Sequence, residues 1–330
     1  MSEAQARERL AGKAISVGGR TMDPKAQTVA EFVKSIRVPG YFPPLPELRA
    51  QLMTMVELMD EPGPEIARKD DITVPGPAGE LPARVYSCAT QDAGERPVLL
   101  YLHGGGWVQG DLDTHDGLCA RLAEWSQALV VALDYRLAPE APFPAAVEDT
   151  VAAYRWLRDH AAQLGGDPTR VGVAGDSAGG NLSAVLSQQT LASGETPPNF
   201  QVLIYPATDL AMNLRSHREL ETDAVLPKDR LNWYLDQYVP NAADRDDPRA
   251  SPARTEDLSG QPPTLIISGG FDPLRDDAKA YADRLSEAGV DVTYHEYPGQ
   301  IHAFFNLTKT IPQGLRATLE VAEFVRRNFA

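Results

Sequence analysis

The sequence has little cysteine, no long apolar run and no excess of positive charge, and each lack narrows the possible functions. Its two cysteines, Cys88 and Cys119, are too few for a disulfide framework and stand outside any metal-ligand spacing. We therefore expect two reduced thiols and no bound metal. No stretch of about 18 apolar residues occurs, so the sequence predicts no membrane-spanning helix.

The charge balance is strongly acidic, with 46 acidic and 31 basic side chains and a net charge of −15. Such a surface repels nucleic acid and anionic lipid, so neither is an expected partner, and it suits a small neutral substrate. The first ten residues are polar and lack the apolar core of a signal peptide. Together with the free thiols, this predicts a cytoplasmic enzyme.

The pattern of apolar residues predicts the fold class. Eight short β-like runs lie at residues 72–74, 83–86, 98–102, 129–133, 171–174, 202–205, 265–268 and 292–297. The middle runs are continuously apolar, as in parallel strands buried on both faces. Helical periodicity at 145–160, 276–288 and 313–329 lies between or after the later runs. We predict an α/β fold with an eight-stranded, mostly parallel sheet flanked by helices.

Two segments depart from this alternation. Near the N-terminus, Asp23 and Pro24 indicate a helix start, and a second helix is expected at 46–59 after a proline-rich loop. About 60 residues separate the sixth run from the seventh, which is longer than most crossovers. We expect the two segments to pack together as a helical cap. The expected division is cap at 1–50 and 208–245, and core at 51–207 and 246–330.

The most informative motif is the pentapeptide Gly175-Asp176-Ser177-Ala178-Gly179. It follows the fifth apolar run and precedes a helical stretch, which is the context that a nucleophilic serine on a sharp strand-to-helix turn requires. The residues two positions either side of Ser177 must be small, which the two glycines satisfy. We therefore predict Ser177 as the nucleophile, with Asp176 as an orienting residue.

A second glycine-rich loop, His103-Gly104-Gly105-Gly106-Trp107, follows the third run. Its backbone can approach a substrate carbonyl and direct N–H groups at it, so we predict an oxyanion hole from Gly104, Gly105, Gly106 and Ala178. Which two of the three glycines donate stays open. A phosphate-binding loop is the alternative, but the Lys-Ser/Thr ending of that motif is missing. His103 is expected to position the loop.

Six histidines compete for the role of general base. His302 lies just beyond the last run on a glycine-containing loop, where its side chain can reach over the sheet. His115 and His217 have polar sequence neighbours and are expected at the surface. Asp272 follows the seventh run after a short turn, whereas Asp276 and Asp277 are expected to cap a helix.

A triad of Ser177, Asp272 and His302 then occurs in the chain order Ser, Asp, His. That is the order of the α/β-hydrolase arrangement and not of the other known serine triads.

The sequence resembles the bacterial hormone-sensitive lipase-like (family IV) esterases over nearly its whole length. The resemblance rests on residues 103–111, 134–140 (Asp-Tyr-Arg-Leu-Ala-Pro-Glu), 175–181, 272–276 and 299–302. It implies an α/β-hydrolase fold with a helical cap, the same triad and oxyanion donors, and hydrolysis of short- to medium-chain acyl esters without a cofactor. Many members dimerise, which makes a homodimer an expected assembly. We also expect Trp107, Tyr205 and Phe304 to contact the substrate. One departure is Ala303, where the family usually has glycine.

Other functions share these features. An amidase, a carbamate hydrolase or an acyltransferase would use the same triad, because all pass through an acyl-enzyme. A non-catalytic binding protein on the same fold is a further alternative. Plant receptors that resemble the family lack the histidine, so the presence of His302 argues against that alternative.

Overall fold

The structure is a computed structural model that describes residues 5–88 except 7 and 9, 96–223 and 225–329. Its centre is an eight-stranded sheet in the order β10-β9-β8-β7-β5-β6-β4-β3. The strands are β3 Arg68–Gly76, β4 Gly79–Ser87, β5 Arg96–Leu102, β6 Leu129–Leu133, β7 Gly166–Asp176, β8 Gln201–Ile204, β9 Thr264–Phe271 and β10 Val292–Ile301. Neighbouring strands are parallel throughout the stretch β6-β5-β7-β8-β9-β10. Strand β4 pairs with both β6 and β3 in the antiparallel direction. The predicted mostly parallel sheet is confirmed.

Helices connect most of these strands. They are α1 Pro24–Ile36, α2 Leu45–Met59, α3 Asp116–Ser126, α4 Ala145–His160, α5 Ala178–Ala192, α6 Arg215–Glu219, α7 Lys228–Tyr238, α8 Arg275–Glu287 and α9 Gln313–Phe329. The N-terminal helix starts as expected, because Asp23 accepts hydrogen bonds from the N–H groups of Lys25 and Ala26. The sequence analysis did not anticipate α3 or a short hairpin of β1 Ser16–Val17 and β2 Arg20–Thr21.

The core lies on both faces of the sheet. In β5, Val98 and Leu100 pack on the face covered by α4 and α5, whereas Leu99 and Tyr101 pack on the face covered by α3 and α9. All four side chains are fully buried. A strand covered on both sides must be apolar at every position, which explains why these strands read as unbroken apolar runs.

The carboxyl ends of the parallel strands meet at one edge of the sheet. The glycine-rich loop follows β5, Ser177 follows β7, Asp272 follows β9 and His302 follows β10. Open α/β sheets bind ligands at this edge. The topology therefore brings together four motifs that are up to about 200 residues apart in the sequence.

Among the described residues, no helix combines the length and the apolar character needed to cross a membrane.

Candidate active site

Ser177 lies on the sharp turn between β7 and α5. Its backbone has φ 54° and ψ −113°, a conformation that is strained for a residue with a side chain. The turn has no room for larger neighbours: a Cβ on Gly179 would collide with the carbonyl oxygen of Leu102, and a Cβ on Gly175 with that of Gly179. The backbone N–H of Ser177 donates to the Ile204 oxygen at 2.8 Å. The turn therefore holds the serine hydroxyl above the sheet edge.

His302 links the serine to a buried carboxylate. Its Nδ1 lies 2.7 Å from Oδ2 of Asp272, and its Nε2 lies 3.0 Å from Oγ of Ser177. Asp272 is fully buried and also accepts the N–H of Leu274 at 2.8 Å. An ionised carboxylate only accepts hydrogen bonds, so Nδ1 of His302 must carry the proton that it donates. In the neutral ring, Nε2 then presents its lone pair to the Ser177 hydroxyl.

The surroundings of His302 stabilise its protonated form. Burial by itself would lower the pKa of His302, but the charge of Asp272 and the hydrogen bond to it outweigh burial, and Asp176 and Asp223 add to their effect. The net result is a pKa raised above the ordinary histidine value. A positive charge that develops on this ring during proton transfer is therefore favoured.

In the glycine-rich loop after β5, the N–H of Gly104 already has a hydrogen-bond acceptor within the protein. Its N–H donates to Oδ1 of Asp176 at 2.9 Å, and a Cβ at this position would collide with the same carboxylate. Gly105 and Gly106 have φ values of 121° and 62°, and their N–H groups meet no acceptor within the described residues. Ala178 opens α5, so its N–H has no intrahelical acceptor. The free donors are therefore those of Gly105, Gly106 and Ala178.

The side chain of Asp176 holds this loop in place through several contacts. Besides Gly104, its Oδ1 accepts the hydroxyl of Tyr101 at 2.8 Å and lies 3.2 Å from Nε2 of His115. Burial by itself would raise the pKa of Asp176. The charge and hydrogen bond of His115 and the hydrogen bond from the Tyr101 hydroxyl outweigh burial, so the pKa is lowered overall. The carboxylate of Asp176 is thus ionised and holds the glycine-rich loop after β5 through the N–H of Gly104.

His103 also holds the loop. Its Nδ1 donates to the Gly104 oxygen at 2.8 Å, and its ring stacks on Tyr135 with a centroid distance of 4.3 Å. The Tyr135 hydroxyl donates back to the His103 carbonyl at 2.7 Å. Burial lowers the pKa of His103 to about 4, so the ring is neutral. These contacts fit the positioning role expected of it.

Two expectations about histidines were wrong. His115 and His217 are only 4% and 5% exposed, not at the surface. His115 contacts Asp176 and, at 3.2 Å, Nδ2 of Asn306, whereas Nε2 of His217 lies 2.7 Å from Oδ2 of Asp277. Their polar sequence neighbours gave no sign of this burial, because the partners come from distant parts of the chain.

The expected capping by Asp276 and Asp277 was wrong as well. Neither carboxylate caps α8; the N–H of Asp276 instead donates to Oγ of Ser216 at 3.2 Å. Oδ2 of Asp276 accepts the N–H of Ser216 at 2.8 Å, at the start of α6, and Asp277 pairs with His217 of that same helix. Both carboxylates therefore fasten the insertion to the core.

Ser177 and His302 open into a cavity of about 570 Å³. Helices α1, α2 and α7 contribute much of its wall, which is largely apolar. Trp107 lies in the wall and stacks on Tyr238 at 4.3 Å. The sequence analysis did not anticipate the wall residues Arg37, Leu226, Arg230 and Leu231. Only the tertiary packing of α1 and α7 over the sheet edge reveals them.

Tyr205 and Phe304 do not line this cavity. Both are fully buried, and the ring of Tyr205 lies 4.7 Å from that of His302, with Phe304 behind it at 6.0 Å. The prediction that these two residues contact the substrate was therefore wrong. Both instead pack behind the ring of His302 and support it.

The described residues include no group of three or more His, Cys, Asp or Glu side chains that could hold a metal ion.

Comparison with known proteins fits this geometry. A family model described as the alpha/beta hydrolase fold matches residues 99–306. The carboxylic ester hydrolase LipN of Mycobacterium tuberculosis is 42% identical over 306 residues, which cover 90% of this chain and 80% of that protein. An ethyl acetate hydrolase of Pseudomonas putida is 40% identical over 250 residues, covering 75% of this chain and 79% of its own. The esterase structure from Pyrobaculum calidifontis superposes with a TM-score of 0.84 at 37% identity, covering 91% and 97% of the two chains.

The chain belongs to the alpha/beta hydrolase family. Within that family it is one of the hormone-sensitive lipase-like (family IV) esterases, as the sequence motifs predict.

One departure from this esterase family has a structural consequence. Ala303, which follows His302, has φ 63° and ψ 15°, in the left-handed region that glycine adopts without strain. A glycine at this position, usual in the family, fits that conformation. The alanine methyl costs about 1 kcal/mol in this conformation.

The stretch Asp-Tyr-Arg-Leu-Ala-Pro-Glu at 134–140 holds loops together through ion pairs. Arg136 pairs with the fully buried carboxylate of Asp149 at 2.7 Å, and Glu140 pairs with Arg49 of α2 at 2.8 Å. The second contact ties an N-terminal helix to the edge of the core.

Proposed function

We propose that this protein hydrolyses carboxylic esters through an acyl-enzyme on Ser177, with His302 as general base and Asp272 as its orienting acid. The observation that carries the proposal is the unbroken line of contacts from Ser177 Oγ to His302 and on to Asp272, at 3.0 and 2.7 Å, at the base of a cavity. Membership in an esterase family supports the same activity.

The chemistry proceeds in two halves. Ser177 Oγ attacks the ester carbonyl while Nε2 of His302 takes its proton, and the protonated ring then gives that proton to the leaving alkoxide. In the second half, His302 activates a water that releases the acid. Asp272 keeps the proton on Nδ1 throughout and stabilises the charged ring. The N–H groups of Gly105, Gly106 and Ala178 stabilise the oxyanion, because they are the donors left free near Ser177.

The substrates are esters of short to medium acyl chains. Residues 1–50 and 208–245 act as a cap, although α2 continues past the expected boundary to Met59. Helices α1, α2 and α7 supply a largely apolar wall for about 570 Å³ of space. Each added methylene gains at most about 0.8 kcal/mol from burial until the chain reaches the wall. Hydrolysis is therefore expected to peak within a series of para-nitrophenyl esters and to fall for long chains. A rate that keeps rising to the longest chains would contradict the size limit.

The nucleophile is tested by covalent labelling. A serine-directed organophosphorus reagent should modify one residue, Ser177, as read by peptide mass spectrometry. Ser177→Ala should fold normally and lose at least about three orders of magnitude in rate. Ser183→Ala, on the next turn of α5, removes a buried hydroxyl that bonds only the Gly179 carbonyl and serves as the matched control. Labelling at another residue, or an active Ser177→Ala protein, would refute the assignment.

A further inference from the structure

Two arginines line the cavity among the described residues, and they differ in one respect. Nη2 of Arg37 contacts both carboxylate oxygens of Asp229, at 2.6 and 2.8 Å. Arg230 is the next residue along α7, yet its side chain makes no hydrogen bond or ion pair within the described part of the chain. Its Nε is buried and without an acceptor. The cavity wall therefore contains a guanidinium whose donors are unused.

Among the described residues, no carboxylate of the cavity wall pairs with the guanidinium of Arg230. The wall contains one carboxylate, that of Asp176, within the described residues, and it is already bound by Tyr101, Gly104 and His115. The neighbouring Asp229 is held by Arg37 and also accepts the N–H of Gly40 at 3.1 Å. A guanidinium in a mainly apolar cavity, with a buried and unpaired donor, favours an anion of matching geometry.

We propose that Arg230 binds a carboxylate carried by the substrate, so that the enzyme accepts esters bearing a second, free acid group. This inference rests on the proposed function of Ser177. The planar guanidinium and a carboxylate can form two parallel hydrogen bonds, which gives both affinity and orientation. The net charge of −15 repels anions from the surface in general, and Arg230 supplies the local exception inside the cavity.

The position of Arg230 relates this site to the reacting carbonyl. Arg230 and Tyr234 are four residues apart on α7 and share one helix face, roughly 6 Å apart along the axis. The Tyr234 ring packs directly against Gly106 of the oxyanion loop. The Cα atom of Arg230 therefore lies about one helical turn from that of the residue that packs on this loop, and both side chains line the cavity. A short aliphatic or aromatic spacer between ester and acid matches this separation.

The test compares matched esters. On the acyl side, the mono-para-nitrophenyl ester of adipic acid is compared with para-nitrophenyl hexanoate, which has the same six-carbon chain without the acid. On the alcohol side, para-carboxyphenyl butyrate is compared with para-tolyl butyrate. In Arg230→Met, the ratio of kcat/KM for the acid-bearing ester to that for its neutral partner should fall about 10- to 100-fold in one of the two pairs. The pair that responds identifies the side of the ester that carries the acid.

Two further variants complete the experiment. Arg230→Lys keeps the charge but loses the planar fork, so its ratio should fall by less than that of Arg230→Met. Arg326→Met removes an equal charge from the exposed face of α9, outside the cavity, and should keep the wild-type ratio. Arg230→Gln provides the same comparison with a polar side chain should the methionine variant fail to fold.

The outcomes separate the two proposals. If wild-type protein hydrolyses no ester of either pair and Ser177 resists labelling, the proposed function is wrong. If it hydrolyses the neutral esters but both ratios are the same in wild type, Arg230→Met and Arg230→Gln, the function stands and the carboxylate site is refuted.

Discussion

The pair His302–Asp272 at the sheet edge and the pair His217–Asp277 at the junction of insertion and core have the same nitrogen-to-oxygen distance. In each, a histidine nitrogen lies 2.7 Å from a fully buried carboxylate. Burial opposes the charged form of His217 as it does that of His302, but the hydrogen bond and charge of Asp277 outweigh burial and raise the pKa of His217. Neither distance nor burial distinguishes the two pairs.

The second ring nitrogen makes the difference. Nε2 of His302 contacts the Ser177 hydroxyl and faces the cavity, whereas Nδ1 of His217 accepts the backbone N–H of Leu214 at 3.1 Å. Nε2 of His217 thus connects α6 to α8, and Nδ1 holds the first turn of α6 itself. A buried histidine–aspartate pair is therefore a structural unit that becomes part of a proton-transfer system only when a reactive group meets its free nitrogen.

The largest expected difference between the two histidine–aspartate pairs is the loss of kcat when the aspartate of each pair is changed to asparagine. Asp272→Asn should lower kcat by about 10³- to 10⁴-fold, because an amide can donate to Nδ1 and favour the wrong tautomer of His302. Asp277→Asn should change kcat little and lower stability instead. Steady-state kinetics on a short-chain ester, with urea unfolding of each variant, makes the comparison. Equal losses of kcat in both would mean that the acid of the triad is misassigned.

A second difference should appear in stability. His217→Ala leaves the carboxylate of Asp277 buried without its partner and should lower the free energy of unfolding by about 3 kcal/mol. The control is His295→Ala, since His295 pairs with Glu320 at 2.8 Å but its side chain is 43% exposed. That loss should be no more than about 1 kcal/mol. Similar losses from both would argue that the insertion is not held by the His217 pair.

The smallest expected effect is in pH dependence. His302 must be neutral to accept the Ser177 proton, so the rate should rise with pH through a midpoint above about 6.5 and then reach a plateau. His217→Asn should keep this midpoint, and Asp272→Asn should lower it. A midpoint well below 6.5 in the wild-type protein would contradict the raised pKa of His302.

Stability should change in the opposite direction. A histidine whose pKa is raised on folding stabilises the protein fully below about 6.5 and loses that contribution as pH rises through the raised value. The free energy of unfolding should therefore fall over the interval in which the rate increases. His217→Asn should reduce this slope, which urea titrations between pH 6 and 9 can measure.

The sequence was sufficient for the features that depend on neighbours along the chain. All eight strand segments were predicted, and the central ones were the clearest because a strand buried on both faces needs an apolar residue at every position. The limits of α4 and α9 agree with the periodicity to the residue. The two-residue strands β1 and β2 were missed, because a segment that short has no detectable period.

The turn around Ser177 and the order Ser177, Asp272, His302 at the ends of β7, β9 and β10 were likewise readable, since each motif lies within a few residues of its strand. Only the tertiary structure decided that Gly104 is engaged by Asp176, 72 residues away, and that His217 is buried against Asp277. It also decided that Arg230 lines the cavity and that its Nε finds no acceptor among the residues that the structure describes. Burial and hydrogen-bond satisfaction depend on which distant segments the fold brings together, and local sequence does not encode that information.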